Sequence, residues 1–539
     1  MAARENGWQF DALDLRAVLG RLNDTAGWLG SSTPQISPVG STRQVDLYFD
    51  TEDLRFHRAG YSLRIRRVNR RRHAEATLKT LESTTAPGNL QSRPVISQPV
   101  EAFDARLLAV ARGPVTDRVR AVAGRKPLLP LFEIRTHRHL FSVAANGHLP
   151  GEIAVDETRI LPAPGAPATR LRRIALTVPD GATAVFEPLA ERLRLDYGLR
   201  PVELSKFEAG LISAGVRRPQ GTRFGPTDLG ENPTIGTVAV SALRRQLSTL
   251  LEKEPASRLG DDPESLHDMR VASRRLRAAF SLFSKVLPPG VLVLRTELSW
   301  IGGVLGAVRD LDVQLQQLAG WRVALPDADR NALDALDALL QEQRNEARKT
   351  MLEALDSRRY ESFVSRFGRA LRARPPRSSA GPSSPARDIA PQLIEARFRA
   401  FGRAADRLGP TSKPGDYHRL RIRGKRLRYA VEFFAELYPG PTRALSKRLT
   451  ALQDILGLYQ DADVAVARLH TLVDESAGRL EPATVFVMGQ IAERYRQNME
   501  DLEAKVPAAT ARVRGKSWRS LRKAMERQSE KDAGSLAQC

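Results

Sequence analysis

The chain has 539 residues, of which 42% are hydrophobic, and this composition excludes an intrinsically disordered protein. Its formal charge is +22, from 84 Lys and Arg against 62 Asp and Glu. Such an excess predicts an acidic partner, which leaves nucleic acid, phosphate polymers and anionic membrane surfaces as candidates.

The cysteine content and the N-terminal segment predict the cellular location. The single cysteine, Cys539, leaves no partner for a disulfide within the chain, which fits a reducing compartment. The first residues contain no apolar run typical of a signal peptide. No stretch is expected to reach the roughly 18 uncharged apolar residues of a membrane span. We therefore expect a cytoplasmic protein without a membrane partner.

Residues 1–213 have a pattern typical of β-strands with some helix. Polar and apolar residues alternate in short segments, namely Gln44–Phe49, Tyr61–Arg66, Ala74–Lys79 and Leu131–Arg135. Gly, Pro and Asn separate these segments, as in an antiparallel barrel or sandwich. Residues 214–233 are rich in the same turn-forming residues and are predicted to be a linker.

From residue 234 to about residue 530, apolar residues recur at helical spacing, which predicts an all-α domain. One interruption, about residues 371–390, is rich in Pro, Ser and Arg. It predicts a flexible connector between two helical parts, about residues 234–370 and 391–530.

The helical half contains an internal repeat. The segment His267–Ala278 recurs as His418–Tyr429, at an offset of 151 residues (418 − 267). The same offset relates Phe283 to Phe434, Pro288 to Pro439, Leu305-Gly306 to Leu456-Gly457, and Asp310 and Asp312 to Asp461 and Asp463. Because one register without gaps is not expected by chance, we infer a duplication in which each copy contributes a bundle of about four helices.

Each copy carries a stripe of basic residues when it is placed on a helix of 3.6 residues per turn. The first stripe is His267, Arg270, Arg274 and Arg277; the second is His418, Arg421, Lys425 and Arg428; Arg275 and Arg426 flank them. The apolar residues of both segments fall on the opposite side of the helix and are expected to face the core.

A basic stripe on a helix is most often a solvated face, but three observations favour an anion-binding role. Neither stripe has interleaved Asp or Glu that would form i,i+4 pairs, so the cations are expected to repel one another. This unfavourable arrangement occurs twice at equivalent positions. Each stripe also begins with a histidine, which donates to phosphate when it is protonated.

The segments Arg309–Asp312 and Gln460–Asp463 each place two carboxylates at i,i+2. Two carboxylates can ligate a hard cation. On a helix, however, residues at i and i+2 do not face each other. A helix cap or an internal salt bridge to the arginines is therefore favoured over a metal site.

The duplicated motif, His-x-hydrophobic-Arg followed by a basic Arg-Leu-Arg segment and later by Leu-Gly and Asp-x-Asp, resembles the CHAD domain. The resemblance covers roughly residues 234–530. It implies two pseudo-symmetric four-helix bundles whose basic helices line a central groove. It further implies binding of inorganic polyphosphate by the stripe and flanking residues named above, and association with polyphosphate granules.

The N-terminal half resembles the CYTH, or triphosphate tunnel metalloenzyme, family, which is known to precede CHAD domains. The resemblance rests on Tyr48–Thr51, Leu54, Gly60–Arg66, Thr77–Lys79 and Ser205–Glu208. It implies an eight-stranded antiparallel tunnel in which cations hold a triphosphate and acids hold divalent metal ions. The cations expected to bind triphosphate are Arg64, Arg66, Lys79, Arg93, Arg135, Arg138 and Lys206.

Most of the acids of that family are missing. The opening Glu-x-Glu-x-Lys strand is matched only at Glu5, with Gly7 and Gln9 at the other two positions. Val95 and Ser97 replace later glutamates, and the strand from Arg173 to Thr177 has no acid, so Glu5 and Asp156 are the metal-ligand candidates. A tunnel with few carboxylates still attracts triphosphate but holds metal poorly.

The sequence therefore favours a polyphosphate-binding protein whose tunnel binds tripolyphosphate with weak or no hydrolysis. Polyphosphate binding is expected to need no cofactor, whereas hydrolysis would need Mg²⁺ or Mn²⁺. One alternative is a metal-dependent inorganic triphosphatase whose helical half binds the substrate. A nucleic-acid-binding protein is disfavoured, because aromatic residues make up only 6% of the chain and single-strand binders stack bases on aromatic rings.

Overall fold

The computed structural model describes residues 3–24, 35–69, 73–81, 84–86, 90–144, 150–162, 167–216, 224–325, 330–372, 383–475 and 480–536. The chain divides into two compact units. The first comprises Met1–Gln220 and Lys253–Asp262, and the second comprises Gly221–Glu252 and Pro263–Cys539. Cys539 itself lies outside the described residues.

The first unit is built on a closed antiparallel barrel. Its strands are β1 (Ala3–Asp11), β2 (Gln35–Asp50), β3 (Tyr61–Val68), β4 (Ala74–Thr80), β5 (Thr84–Ala86), β6 (Leu90–Val100), β7 (Leu129–Ala144), β8 (Gly151–Leu161), β9 (Thr169–Val178) and β10 (Arg200–Pro201). Eight strands follow the order β1-β9-β8-β7-β2-β3-β4-β6, and β6 pairs back with β1 to close the barrel. The eight-stranded antiparallel tunnel expected from the sequence is confirmed.

Helices cover parts of the outside of this barrel. They are α1 (Arg16–Asn23), α2 (Arg55–Arg58), α3 (Leu107–Val110), α4 (Pro114–Ala123), α5 (Thr183–Asp196) and α6 (Lys206–Ser213). Leu63 and Ile65 face outward and share a buried apolar cluster with Val119 of α4. Because side chains alternate along a strand, their neighbours on β3 face inward, where the barrel is polar.

The second unit is all-helical. Its elements are α7 (Ile235–Leu259), α8 (Pro263–Leu282), α9 (Pro289–Leu292), α10 (Arg295–Ala324), a 3-10 turn (Asn331–Leu333), α11 (Asp334–Asp356), α12 (Arg358–Arg372), α13 (Ala386–Ala405), α14 (Pro414–Phe433), α15 (Pro439–Glu475), α16 (Pro482–Arg512), a π turn (Val513–Ser517) and α17 (Trp518–Leu536). The last residues of α7, from Lys253, are grouped with the first unit.

The internal repeat is visible in the helix boundaries. Helices α8 and α14 begin at Pro263 and Pro414 and end at Leu282 and Phe433, which keeps the offset of 151 residues at both ends (414 − 263, 433 − 282). Ile235 and Ala386, the first residues of α7 and α13, keep the same offset (386 − 235). The duplication therefore extends on the N-terminal side of the motif found in the sequence.

Both predicted boundary segments are in part ordered. The proposed connector, about residues 371–390, lies partly outside the described residues, but α13 begins at Ala386, and Ala386 and Ala390 are fully buried. Phe224, within the proposed linker 214–233, is buried in the helical core. In both places apolar side chains are buried among helices. The Pro and Gly content of the two segments therefore predicted a longer irregular stretch than the structure has.

The prediction that no stretch is apolar enough to span a membrane needs correction for one segment of the second unit. By length and composition Pro289–Val323 is apolar enough to cross a membrane, although no such stretch was expected. In the structure Leu298, Ile301 and Leu305 of this segment are buried in the helical core. A core position accounts for its apolar character.

Candidate functional site

The inside of the barrel carries basic side chains from several strands. A cavity of about 120 Å³ is lined by Arg64, Arg66, Lys79, Arg93, Arg138, Arg173 and Lys206. Sequence reasoning missed Arg173, because its strand was considered only for the acids that it lacks. Its alternation with Ala175 and Thr177, which also line the cavity, is the signal that would have placed it inside.

Arg135 lies outside this cavity, so the prediction that it holds triphosphate is wrong. It is three residues from Arg138 on β7, and an odd separation puts the two side chains on opposite faces of the strand. The Arg135 side chain is 63% exposed and pairs with Glu133.

Asp156, a metal-ligand candidate, is held by two cations inside the barrel. Arg138 donates to its two oxygens at 2.7 and 2.8 Å, and Lys206 Nζ donates at 2.7 Å. Burial opposes ionisation, but Lys206 and Arg138 together hold the pKa of Asp156 well below its usual range. Burial lowers the pKa of Lys206 to about 8.

The other acids of the interior are paired in the same way. Glu5 forms an ion pair with Lys79, and although burial opposes ionisation, this pairing lowers the pKa of Glu5 to about 2. Asp46, which sequence reasoning missed, accepts two hydrogen bonds from Arg66 at 2.7 and 2.8 Å. Each of these carboxylates is thus neutralised by at least one cation.

The residues present do not fit a divalent metal site. Among the described residues, no group of three or more His, Cys, Asp or Glu side chains is placed to hold a metal ion. Glu5 and Asp156 each already have a cationic partner. Divalent hard cations need several oxygen ligands at once, which carboxylates that are each paired with a cation do not supply.

Gly7, which stands where the opening Glu-x-Glu-x-Lys pattern has its second acid, leaves no space for a side chain. A Cβ added there would lie 2.1 Å from the carbonyl oxygen of Leu176. The backbones of β1 and β9 approach so closely at this point that no side chain fits.

Two cations of the interior are incompletely partnered. The Arg64 guanidinium is 3.6 Å from Asp46, and its Nε is buried without a hydrogen-bond partner among the described residues. Arg93 forms no ion pair within the described part of the chain, and its buried Nε has no hydrogen-bond partner there. The cavity therefore offers positive charge to an anion.

In the second unit, helices α8 and α14 lie side by side and join the two basic stripes into one surface. Arg274 Nε of α8 donates to the hydroxyl of Tyr429 of α14 at 2.9 Å. Arg275 of α8 pairs with Glu432 of α14 at 2.8 Å. We call Arg270, Arg274, Arg421 and Lys425 on this surface the central cations.

Burial and the neighbouring cations together change the ionisation of one central cation. Burial, followed by the charges of Arg274 and Arg421, lowers the pKa of Lys425 to about 7. Burial also lowers the pKa of Arg421, whose Nε is buried without a hydrogen-bond partner among the described residues. Positive charge is thus held together here in spite of its electrostatic cost.

The Asp-x-Asp segments supply the few acids close to this surface. Asp310 of α10 pairs with Arg270 at 3.0 Å, and Asp461 of α15 lowers the electrostatic cost of charging Arg421. Both aspartates lie within long helices, so they are not helix caps; Asp310 forms a salt bridge, and Asp461 acts on Arg421 through its charge.

One expectation about the stripes is wrong. Glu432 stands four residues after Arg428, at 3.5 Å, and it also pairs with Arg275. An i,i+4 acid therefore exists at the C-terminal end of the second stripe.

The C-terminal end of the stripes opens into a cleft of about 440 Å³. Six cations line it, Arg274, Arg277, Arg295, Arg397, Lys425 and Arg426, and no carboxylate is among its lining residues. We call it the basic cleft. Sequence reasoning missed Arg295 and Arg397, because the repeat offset places Ser446 and Gln246 at the equivalent positions and gives no signal.

The two histidines at the start of the stripes have different surroundings. Burial and the nearby Arg309 lower the pKa of His267, which disfavours its charged form near neutral pH. His418 forms a hydrogen bond with Gln460 through Nδ1. Near neutral pH the positive charge of the first stripe therefore comes mainly from its arginines.

The two parts of the chain match different protein families. Residues 22–182 match the family model of the CYTH domain, and residues 241–470 match that of the CHAD domain. No curated protein sequence matches the chain.

Three solved structures are similar to parts of the chain. The CHAD domain from the plant Ricinus communis is 32% identical, with 51% of this chain and 91% of that chain covered and a TM-score of 0.45. PptA from Streptomyces chartreusis is 22% identical, with 51% and 99% covered and a TM-score of 0.43. HpAC1 from Hippeastrum, described as having a dominant triphosphatase activity, is 14% identical, with 40% and 98% covered and a TM-score of 0.29.

Proposed function

The chain belongs to the proteins in which a CYTH domain is followed by a CHAD domain, and from this premise we propose that it binds inorganic polyphosphate through the basic cleft and the central cations. The barrel is a second, smaller site that holds tripolyphosphate with weak or no hydrolysis. The protein acts in the cytoplasm, in association with polyphosphate granules.

The observation that carries this proposal is the basic cleft, which is lined by six cations and no carboxylate. Guanidinium groups bind phosphate oxygens through paired N–H donors, and closely spaced phosphates would offset the repulsion among these cations. A pKa of about 7 for Lys425 supports the same idea, because it reflects burial and crowded positive charge at this place, and a bound anion would favour the charged form of the lysine.

A polymer without bases fits this surface better than a nucleic acid. Tyr429 and Phe433 are the aromatic residues that line the cleft. The Tyr429 hydroxyl already accepts a hydrogen bond from Arg274, and the Phe433 ring packs against that of Phe283, with centroids 5.8 Å apart. Arg428 lies over the Tyr429 ring at 5.4 Å. Bases would therefore find no free ring to stack on, whereas phosphates need only the cations.

The barrel fits an anion without a metal cofactor. Its cations outnumber its acids, and Glu5 and Asp156 are each paired with a cation. Hydrolysis in this family requires a metal to activate water and to stabilise developing charge. The residues present do not fit such a site, so the barrel is expected to hold its anion without rapid hydrolysis.

Binding by the full-length chain tests the first part of the proposal. Arg274→Gln, Arg421→Gln and Lys425→Gln together remove central cations that form no ion pair in the described structure. We expect this cleft variant to lose at least about 100-fold in affinity for long-chain polyphosphate, because each charge-assisted contact contributes about 1.5–3 kcal/mol.

The matched control removes three exposed cations elsewhere in the helical unit, Arg366, Arg369 and Arg403, each replaced by Gln. It has the same net charge and is expected to bind almost as well as the wild type. Equal losses in both variants would show general charge attraction and would contradict a specific site. Displacement of polyphosphate by short duplex DNA at equal charge concentration would contradict the polyphosphate preference.

Phosphate release tests the second part. Purified protein with tripolyphosphate is expected to release phosphate very slowly, with or without Mg²⁺ or Mn²⁺. Turnover faster than about 1 s⁻¹, within the usual range of enzymes, would make the barrel an active triphosphatase.

A further inference from the structure

The outside of the barrel has an uncovered basic region. Helices α1 and α5 cover one part of the outer surface, and α2 and α4 cover another. On the outer side of β2, β3, β7, β8 and β9 a concave surface encloses about 810 Å³. All its lining residues belong to the first unit.

Three arginines stand side by side on this surface. Arg135 of β7 is directly paired with Arg159 of β8, and Arg159 is directly paired with Arg170 of β9. Directly opposed residues of antiparallel strands have Cα atoms about 5 Å apart and side chains on the same face. Like charges in such positions destabilise the sheet.

Neighbouring residues add to the charge without balancing it. Arg43, Arg67 and Arg172 also line the surface, whereas its acids are Glu133 and Glu157. Glu133 pairs with Arg135, but neither Arg159 nor Arg170 forms an ion pair within the described residues. Exposed faces of soluble proteins usually intersperse both signs of charge.

This surface is distinct from the barrel cavity. Arg135 and Arg159 face outward, whereas Arg138 and Asp156 on the same two strands line the inside. The sheet itself separates the two sets, so an anion on the outer surface leaves the inner cavity free.

We propose that this outer arginine surface holds a segment of a linear phosphate polymer laid across the strands. A chain in this direction meets a guanidinium at steps of about 5 Å, and each guanidinium can donate two parallel hydrogen bonds to phosphate oxygens. The identity of the polymer rests on the proposed binding of polyphosphate by the helical unit.

The same surface disfavours a nucleic acid. Phe103, the aromatic ring of the lining, already lies against the Arg67 guanidinium at 4.8 Å. The His137 ring contacts that of His139 at 4.5 Å. Stacking platforms for bases are thus occupied, and the remaining groups recognise phosphate alone.

The outer-surface variant carries Arg135→Gln, Arg159→Gln and Arg170→Gln in the whole chain. The same three substitutions are also added to the cleft variant. A charge-matched control carries Arg106→Gln, Arg192→Gln and Arg194→Gln, which lie elsewhere on the same unit. Binding of long-chain polyphosphate, of tripolyphosphate and of a single-stranded RNA oligonucleotide is measured at several salt concentrations.

We expect the outer-surface variant to bind long-chain polyphosphate at least about fivefold more weakly than the matched control, with tripolyphosphate binding unchanged. The slope of log affinity against log salt should fall by about two, at roughly 0.7 per lost phosphate contact. In the cleft variant, the remaining binding of long chains should disappear when the outer arginines are also replaced.

Different results overturn different claims. Affinity equal to that of the matched control overturns the outer site, while the proposed function stands if the cleft variant still loses binding. Loss of RNA binding alone means that the occupant is a nucleic acid, which also overturns the inference. If no form binds polyphosphate, the proposed function fails and this inference fails with it. Thermal unfolding of the outer-surface variant at or above the wild-type temperature confirms that it is folded.

Discussion

Lys425 shows how a single residue reports on the charge around it. An ordinary lysine stays charged up to about pH 10. Burial and the neighbouring arginines lower the pKa of Lys425 to about 7. Near neutral pH this lysine is only partly protonated, and a bound anion would increase the protonated fraction.

Polyphosphate binding is predicted to be pH-dependent through Lys425. The protonated lysine binds an anion better, so the pKa rises in the complex, and affinity is constant below about pH 6 and falls as the pH rises through 7. The decrease is at most about tenfold per pH unit, the limit for one proton. Titration calorimetry between pH 5.5 and 8.5 measures it.

Lys425→Arg is the matched control for this pH dependence. An arginine stays charged throughout the range, so the variant should lose the decrease above pH 7 while binding at least as well as the wild type. The polymer's own ionisation affects both proteins equally. An unchanged pH profile in the variant would contradict the role of Lys425.

At Gly7 the backbone, and not the surrounding charge, determines which residue is tolerated. Gly7→Glu, which restores an acid at this position, is predicted to destabilise the barrel by more than about 1–3 kcal/mol, because a Cβ there overlaps the Leu176 carbonyl oxygen. Chemical unfolding measures the change. A stable variant that gains Mg²⁺-dependent phosphate release would show that the strands can separate and that acids alone were missing.

At the scale of elements, one of the contacts that join α8 and α14 is made by an acid, which also neutralises part of the positive charge on this surface. Glu432 pairs with Arg275 of the other helix and with Arg428 of its own. It is the acid that links the two stripes, and it therefore competes with an incoming anion for two guanidinium groups.

Glu432→Gln is predicted to strengthen binding of long-chain polyphosphate several-fold. Two freed arginines would add contacts and make the salt dependence steeper, by roughly 0.7 per contact. The stability cost is expected to stay within about 1 kcal/mol, because the ion pairs are partly exposed. Salt-dependent binding and chemical unfolding measure the two effects, and weaker binding would show that Glu432 positions the arginines.

At the scale of the whole molecule, each of the two units has its own cavity lined by basic side chains. The barrel interior is a cavity of about 120 Å³, whereas the basic cleft of about 440 Å³ continues into the surface formed by α8 and α14. The sizes favour a short anion in the first and a long chain in the second.

The two sites are predicted to be separable by mutation. Arg64→Gln with Arg93→Gln should weaken tripolyphosphate binding at least about tenfold and leave long-chain binding nearly unchanged, because these cations lie inside the barrel. The cleft variant should show the reverse pattern. Competition experiments with both ligands measure this, and parallel losses in both variants would contradict two independent sites.

Much of this organisation follows from the sequence alone. Alternation along β3 placed Arg64 and Arg66 on one face and Leu63 and Ile65 on the other, and the structure has this arrangement. The repeat offset identified equivalent positions in α8 and α14. Both patterns depend on local periodicity, which backbone geometry fixes within a few residues.

Other features were decided only by the tertiary structure. Arg295 and Arg397 enter the basic cleft from helices outside the motif, and Glu432 neutralises an arginine of another helix. The row Arg135, Arg159 and Arg170 exists only because three distant segments pair in one register. Local periodicity tells which face a side chain takes, but only long-range packing determines which charges meet on that face.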